Sequence, residues 1–223
     1  MEKFKSTTKI PAWLTVIDIA GLVKGASAGE GLGNAFLSHV RAVDAIFHVC
    51  RAFDEVDVIH VDGEVNPIKD LEVIHHELRL KDEEFIKSAI VDLKKTMGKL
   101  GSNNTAPERA RMAEMAILEK LLHHVVEEHK DVRVGDWNNK EVEVINPLML
   151  LTAKPVIYLV NLSEADYIRK KNKWLAKIHA WIQGNNPGDI LIPFSGCLES
   201  RVRFFQLVFL SSCSLKSWCG VDL

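Results

Sequence analysis

The sequence predicts an α/β protein, a parallel sheet interrupted by an inserted antiparallel helical hairpin. Three observations point there. Short apolar runs at Leu14-Thr15-Val16-Ile17, Ala45-Ile46-Phe47-His48-Val49-Cys50 and Val156-Ile157-Tyr158-Leu159-Val160 are hydrophobic almost throughout, the texture of strands buried on both faces. Segments of helical period lie between them, which is the rhythm of strands joined by helical crossovers. Between the second and third runs, two long amphipathic segments flank a polar turn, which is the pattern of a helical hairpin.

The elements follow in order. Residues 9–17 read as a strand entered through Pro11, and residues 22–33 as a glycine-rich loop. From Asn34 to Val43, Phe36, Val40 and Val43 share a helical face, with Ala35 and Ala42 favouring helix. Residues 44–50 read as the second strand. The texture changes at Asn66-Pro67. Leu71, Ile74, Leu78, Leu80, Phe85, Ile86, Ile90 and Leu93 then recur at helical spacing, residues 98–107 form a polar turn, and Met112, Met115, Leu118, Leu122 and Val125 mark a second helix. Short mixed elements from Trp137 to Leu151 return the chain to the sheet. Residues 154–161 and 189–194 read as the third and fourth strands, with a cationic helix from Tyr167 to Gln183 between them. The expected organisation is one α/β unit built from residues 1–66 and 147–197, a helical insert over 67–146, and a divergent tail over 198–223. That tail contains Phe204-Phe205-Gln206-Leu207-Val208-Phe209-Leu210, a run of high β-propensity and no charge, which is prone to aggregate if left bare.

Composition narrows the function classes. The 223 residues carry a net charge of -2, with 47% hydrophobic and 26% charged residues, so there is no chain-wide pull toward nucleic acid, and DNA is not expected as a partner. No run approaches the roughly 20 apolar residues that span a bilayer, so no membrane partner is expected. Cys50, Cys197, Cys213 and Cys219 show no C-x-x-C spacing and read as reduced thiols. The N-terminus has no signal-peptide pattern, and the expected location is cytoplasmic. His75-His76 and His123-His124 are adjacent pairs that point apart on a helix; both are expected to be surface pairs rather than metal ligands.

The chemistry collects at strand ends. The first strand runs into Asp18-Ile19-Ala20-Gly21, followed by a glycine-rich stretch to Gly33. An Asp at a strand tip followed by a Gly free to approach phosphate is the second half of a P-loop nucleotide site: the Asp holds Mg²⁺ through water and the Gly N–H senses the γ-phosphate. The first half, G-x-x-x-x-G-K-[ST], is not in this sequence. The third strand ends in Asn161-Leu162-Ser163-Glu164 and the fourth in Ser195-Gly196-Cys197, and open parallel sheets bind ligands beyond those ends. Guanine-nucleotide proteins place N-K-x-D at the third of these ends, where the Asp accepts from guanine N1–H and the exocyclic amine. Here Glu164 and Leu162 stand in the Asp and Lys positions. The pattern argues against guanine and weakly for adenine.

Asp18 to Ala26 (D-I-A-G-L-V-K-G-A), Gly31 to Asn34 (G-L-G-N), the helical insert, and Val160 to Glu164 (V-N-L-S-E) together resemble the Obg-like ATPase (YchF) family of translation-factor-related P-loop proteins. The resemblance covers residues 9–196. It implies an Obg-type G domain, here incomplete, with Asp18 as the outer-sphere Mg²⁺ ligand and Gly21 as the γ-phosphate sensor. Asn161 and the Leu162 backbone would read adenine, and Ser195-Gly196 would close over the base. Leu22 stands where Ras-like proteins carry the water-orienting glutamine, and an apolar side chain cannot orient water. The resemblance places that task on a histidine after the second strand, where His60 stands. It implies ATP hydrolysis with Mg²⁺ and association with ribosomes or rRNA, for which Arg169-Lys170-Lys171-Asn172-Lys173 is the candidate contact. The family's P-loop and its C-terminal TGS domain have no counterpart in these residues, so the chain reads as a truncated form, expected to be weak or inactive as a hydrolase. Loss of the P-loop strand is expected to leave neighbouring strand edges open. The competing expectation is a non-enzymatic interaction module that acts through the helical hairpin.

Overall fold

A computed structural model describes residues 10, 12–18, 39–55, 65–98 and 106–203. Three strands, β1 (Ile46–Arg51), β2 (Val156–Asn161) and β3 (Ile190–Phe194), form one parallel sheet in the order β1-β2-β3. The register pairs Ile46 with Val156 and Arg51 with Asn161, then Ile157 with Ile190 and Asn161 with Phe194. Pro193 has no N–H to give a ladder, and β3 is an edge strand, where that is tolerated. Among the described residues, helices α1 (Pro67–Gly98), α2 (Ala106–Val126), α3 (Asn139–Ile145), α4 (Glu164–Arg169) and α5 (Leu175–Asn185) accompany the sheet. Residues 39–42 and 196–203 are also helical.

Local chemistry sets these boundaries. Asn66 Oδ1 accepts from Lys69 N–H at 3.3 Å, and Pro67 opens α1, where its missing N–H costs nothing. α3 begins with a capping box: Asn138 accepts from the Lys140 and Glu141 N–H groups, and Glu141 accepts from Asn138 N–H at 2.8 Å. The cationic segment expected as one helix over residues 167–183 is two. Lys170 takes a left-handed conformation, φ 54°, and closes α4. Asn172 then bridges Asp166 at 2.7 Å and the Ala52 carbonyl at 2.9 Å, which turns the chain before α5. Short side-chain bonds to backbone offer the chain an alternative to helix there.

Among the described residues two large cores and a small cluster of Val40, Leu78 and Leu151 hold the elements together. One face of the sheet carries Cys50, Val156, Tyr158 and Val160, packed under Ile178 and Ile182 of α5 and Leu71 of α1. The second joins Ile86 and Ile90 of α1 to Leu118, Leu121 and Val125 of α2, with Val132, Ile145 and Leu150 from the return path. Met115 packs against this seam, whereas Met112 is half exposed. The return path is clamped by α1. Buried Asp82 accepts from Leu151 N–H (2.7 Å), Thr152 N–H (2.8 Å) and the Thr152 hydroxyl (2.6 Å). Lys154 Nζ donates to the Arg41 carbonyl at 3.0 Å and to that of Val43, placing a cation where helix carbonyls lack partners.

Among the described residues, the strand expected over residues 9–17 is not formed. Ile10 and residues 12–18 are irregular, and Trp13 and Leu14 are 91% and 78% exposed. A strand exists only through its ladder. β1 is an edge strand whose second edge has no partner among the described residues.

The histidine pairs also differ from expectation. In each pair one ring faces outward, but His75 and His124 are buried. His75 Nδ1–H donates to Asp131 Oδ2 at 3.0 Å, and Nε2 is hydrogen-bonded with the Tyr158 hydroxyl at 3.0 Å. Tyr158 also accepts from Asn186 Nδ2 (3.3 Å) and Arg133 Nη2 (3.4 Å), and Arg133 pairs with Asp189 at 2.9 Å. This network ties α1, the segment after α2, the sheet and the turn before β3 into one unit. Burial pushes the Tyr158 phenol far up, and the His75 and Arg133 charges add to burial in pulling His48 down to about 3.

Candidate functional site

The carboxyl ends of β2 and β3 meet in one ledge. The ladder runs one residue past β2, with Leu162 N–H donating to the Phe194 carbonyl at 2.8 Å. Asn161 then turns its side chain across to the neighbouring strand end, where its Oδ1 accepts from Gly196 N–H at 3.0 Å. That bond fixes the amide orientation, so Nδ2 is the donor end of the Asn161 side chain. Leu162 and Ser195 are buried, so a ligand on the ledge meets their backbone and not their side chains. Ser195 Oγ accepts from Leu198 N–H at 3.5 Å, starting the helical turn that follows. A methyl group on Gly196 would stand 3.7 Å from the Asn161 amide, in ordinary contact.

Ser163 caps α4, its hydroxyl accepting from Asp166 N–H at 3.1 Å. Glu164 opens that helix, and its carboxylate is paired with the Arg201 guanidinium at 2.6 Å. Beside the ledge lies an open groove of about 550 Å³ between Ala52-Phe53 at the end of β1 and Ser163, rimmed by Arg169, Lys171 and Lys173. Lys173 is paired with Asp54 at 3.1 Å, while Arg169, Lys170 and Lys171 are exposed.

The structure therefore brings Asn161, Leu162, Ser195 and Gly196 together. Asp18 is exposed at the end of the irregular segment, and no hydrogen bond among the described residues ties it to the ledge. Gly21 and His60 lie outside the described residues. Among the described residues no three His, Cys, Asp or Glu side chains cluster as a metal site, and no helix is long and apolar enough to cross a membrane. The Arg201–Glu164 pair was not legible in advance: the two are 37 positions apart, and nothing in either segment marks the other.

The family described as "50S ribosome-binding GTPase" matches residues 3–86. Obg-like ATPase 1 of Schizosaccharomyces pombe is 54% identical over 204 residues, 92% of this chain and 52% of that protein. The Xenopus laevis protein of the same name is 55% identical over 203 residues, covering 91% and 50%, and the Homo sapiens protein 53% over 200 residues, covering 89% and 49%. The chain belongs to the Obg-like ATPase (YchF) family. It spans about half the length of the curated relatives it matches. A solved structure titled as the Schizosaccharomyces pombe YchF GTPase superposes with a TM-score of 0.78 at 52% identity, covering 95% of this chain and 56% of that one. The α/β fold with its parallel sheet and helical hairpin is thus a fold this YchF-family chain shares with a solved relative.

Proposed function

We propose that this chain carries the base-reading half of an adenine-nucleotide site, and that a complete protein of this family uses it to bind and hydrolyse ATP in preference to GTP. The observation that supports this most is the preassembled Asn161–Gly196 ledge. Asn161 Nδ2 is a donor for a purine ring nitrogen, and the Leu162 backbone lies on the same rim. Glu164 supports adenine over guanine because its carboxylate is already paired with Arg201. Guanine would then present N1–H and its amine to a group that is engaged, whereas adenine has no donor to place there. The relatives' names divide between ATPase and GTPase, so base choice is the property to measure.

Magnesium fits this chain only as an ion that arrives with nucleotide. Mg²⁺ takes one or two carboxylates and completes its shell with water and phosphate oxygens. The single exposed carboxylate of Asp18 suits that outer-sphere role and cannot hold a resident ion. When bound, the metal would neutralise charge on the phosphates. Gly21 is proposed to meet the γ-phosphate through its N–H, and His60 to orient the attacking water. A P-loop amide nest and its lysine cradle most of the phosphate charge in such sites, so turnover by these residues alone is expected to be weak or absent.

Calorimetry with ATP and Mg²⁺, and GTP as control, tests base choice. The expected result is weak ATP binding, no GTP binding, and at least a tenfold loss of ATP affinity in Asn161→Ala. Equal binding of the two nucleotides would overturn the adenine reading.

Ribosome association is proposed through rRNA phosphates on Arg169, Lys170 and Lys171. Binding to an rRNA fragment should weaken steeply with salt, and charge reversal of the three should flatten that slope. A slope the triple variant leaves unchanged removes this surface from consideration.

A further inference from the structure

Side chains alternate across a sheet, so the register assigns each residue of β1 to β3 to one of two faces. Phe47, Ile157 and Ile190 form one row, and Val49, Leu159 and Ile192 the next, all on the face opposite Tyr158. All six are apolar. Phe47 is 45% exposed, Val49 59%, Ile190 57% and Ile192 44%, with Ile157 and Leu159 partly exposed between them. The other face lies under α5 and α1. Among the described residues no helix packs on these two rows. A contiguous apolar patch across three strands is a surface built to be covered.

We propose that residues 204–210 of this same chain cover it. The sequence there is Phe204-Phe205-Gln206-Leu207-Val208-Phe209-Leu210, six of seven residues apolar and none charged. Its tether places it correctly. β3 ends at Phe194, and residues 196–203 leave the carboxyl end of the sheet as a helical turn. A chain leaving that end with α5 and α1 already on one face has the other face open for its return. Reach is sufficient: seven extended residues span roughly 23 Å, against roughly 20 Å for a six-residue strand.

The other segments outside the described residues are poorer covers. Residues 19–38 contain five glycines, residues 56–64 carry three acids, residues 99–105 are mostly polar, and residues 1–9 carry four charged side chains. The apolar run around Trp13 to Ile17 is itself exposed. Only residues 204–210 combine an apolar, uncharged surface with attachment next to the open face. The run that reads in isolation as an aggregation hazard thus has a place in the fold: it closes the second layer that the sheet's own composition demands.

The test is a methyl-labelled sample of the full chain. Ring protons of Phe204, Phe205 and Phe209 should show NOEs to the methyls of Ile157, Leu159 and Ile192 within a monomer. A mixture of labelled and unlabelled chains separates contacts within a chain from contacts between chains. NOEs that appear only between chains, with a mass that rises with concentration, would make a second copy the cover and overturn the proposal. Absence of any ring contact to these methyls would overturn it as well. A second measurement does not depend on the rings. A soluble gadolinium chelate should relax the Ile157, Leu159 and Ile192 methyls several-fold faster in Val208→Asp/Phe209→Asp than in the parent chain. The Ile178 and Ile182 methyls, on the covered face, should not change and serve as the folding control. Equal relaxation of the open-face methyls in parent and variant would show that the tail does not lie there.

Discussion

Asp131→Ala should lower the stability of this protein by about 3–5 kcal/mol, the usual cost of breaking a buried ion pair from one side. Asp131 sits after α2 and is almost fully buried. It accepts from His75 Nδ1–H at 3.0 Å and lies 3.3 Å from Arg133 and 3.5 Å from Arg79. Removing the carboxylate leaves the mostly buried Arg133 guanidinium with Asp189 as its carboxylate partner and takes the acceptor from His75 Nδ1–H. Asp131→Asn keeps the shape and one acceptor, and should cost less than the alanine. The pH dependence has a definite sign. Burial pushes the Asp131 carboxyl up, but the His75 hydrogen bond and charge, with Arg133 and Arg79, outweigh it and hold the group below its ordinary 3.8. A depressed folded value means the contribution is fully present above pH 3.8 and is lost as pH falls through the lower folded value. Urea unfolding at pH 7 and pH 3 measures both. A loss below about 1 kcal/mol for Asp131→Ala at pH 7 would show that the network is not holding the hairpin to the sheet.

Much of this fold was legible because its determinants are local. β1, β2 and β3 announced themselves as apolar runs, and α1 and α2 by apolar period, since both signals are carried by neighbours in sequence. What failed needed a partner that the sequence does not display. Leu14 to Ile17 have the composition of a strand, but composition cannot supply a ladder. The left-handed turn at Lys170 is fixed by Asn172 bonding back to Ala52, a contact across 120 positions, and no residue type at Lys170 advertises it. His75 read as one of a surface pair because adjacent residues on a helix point apart and cannot share a metal; its real partners are Asp131, 56 positions away, and Tyr158, 83 positions away. The candidate site divides the same way. Asn161, Leu162, Ser195 and Gly196 were found from their places at strand ends, and the register brings them together. Asp18 was found from its motif, and the irregular segment that carries it leaves it exposed.

Half-buried His48 and buried Asp82 pull the acid stability of this protein in opposite directions, and one substitution separates them. The His48 ring packs beside both Tyr158 and His75, with centroids 5.4 and 6.1 Å away. Burial first, then the charges of His75 and Arg133, lower its pKa from 6.5 to about 3. The unfolded chain therefore binds a proton that the folded one refuses, and stability is lost as pH falls from 6.5 toward 3. Asp82 works the other way. Burial outweighs its bonds to Thr152 and Leu151 and raises it from 3.8 to about 6, so the folded state takes up the proton first and stability is gained as pH falls from 6 to 3.8. The two nearly cancel between pH 6 and 3.8 in the parent protein. His48→Phe keeps an aromatic ring in the stack and removes the histidine's share. The stability of the variant relative to the parent should therefore rise by up to about 3 kcal/mol between pH 7 and pH 4, at about 1.4 kcal/mol per pKa unit. Because His48 is half-buried, that figure is an upper bound. Urea midpoints of both proteins across this range read the difference directly, and titrations common to both cancel. A gap that stays constant with pH would mean that the His48 ring is protonated in the folded state, and that the stack beneath α5 is open to water.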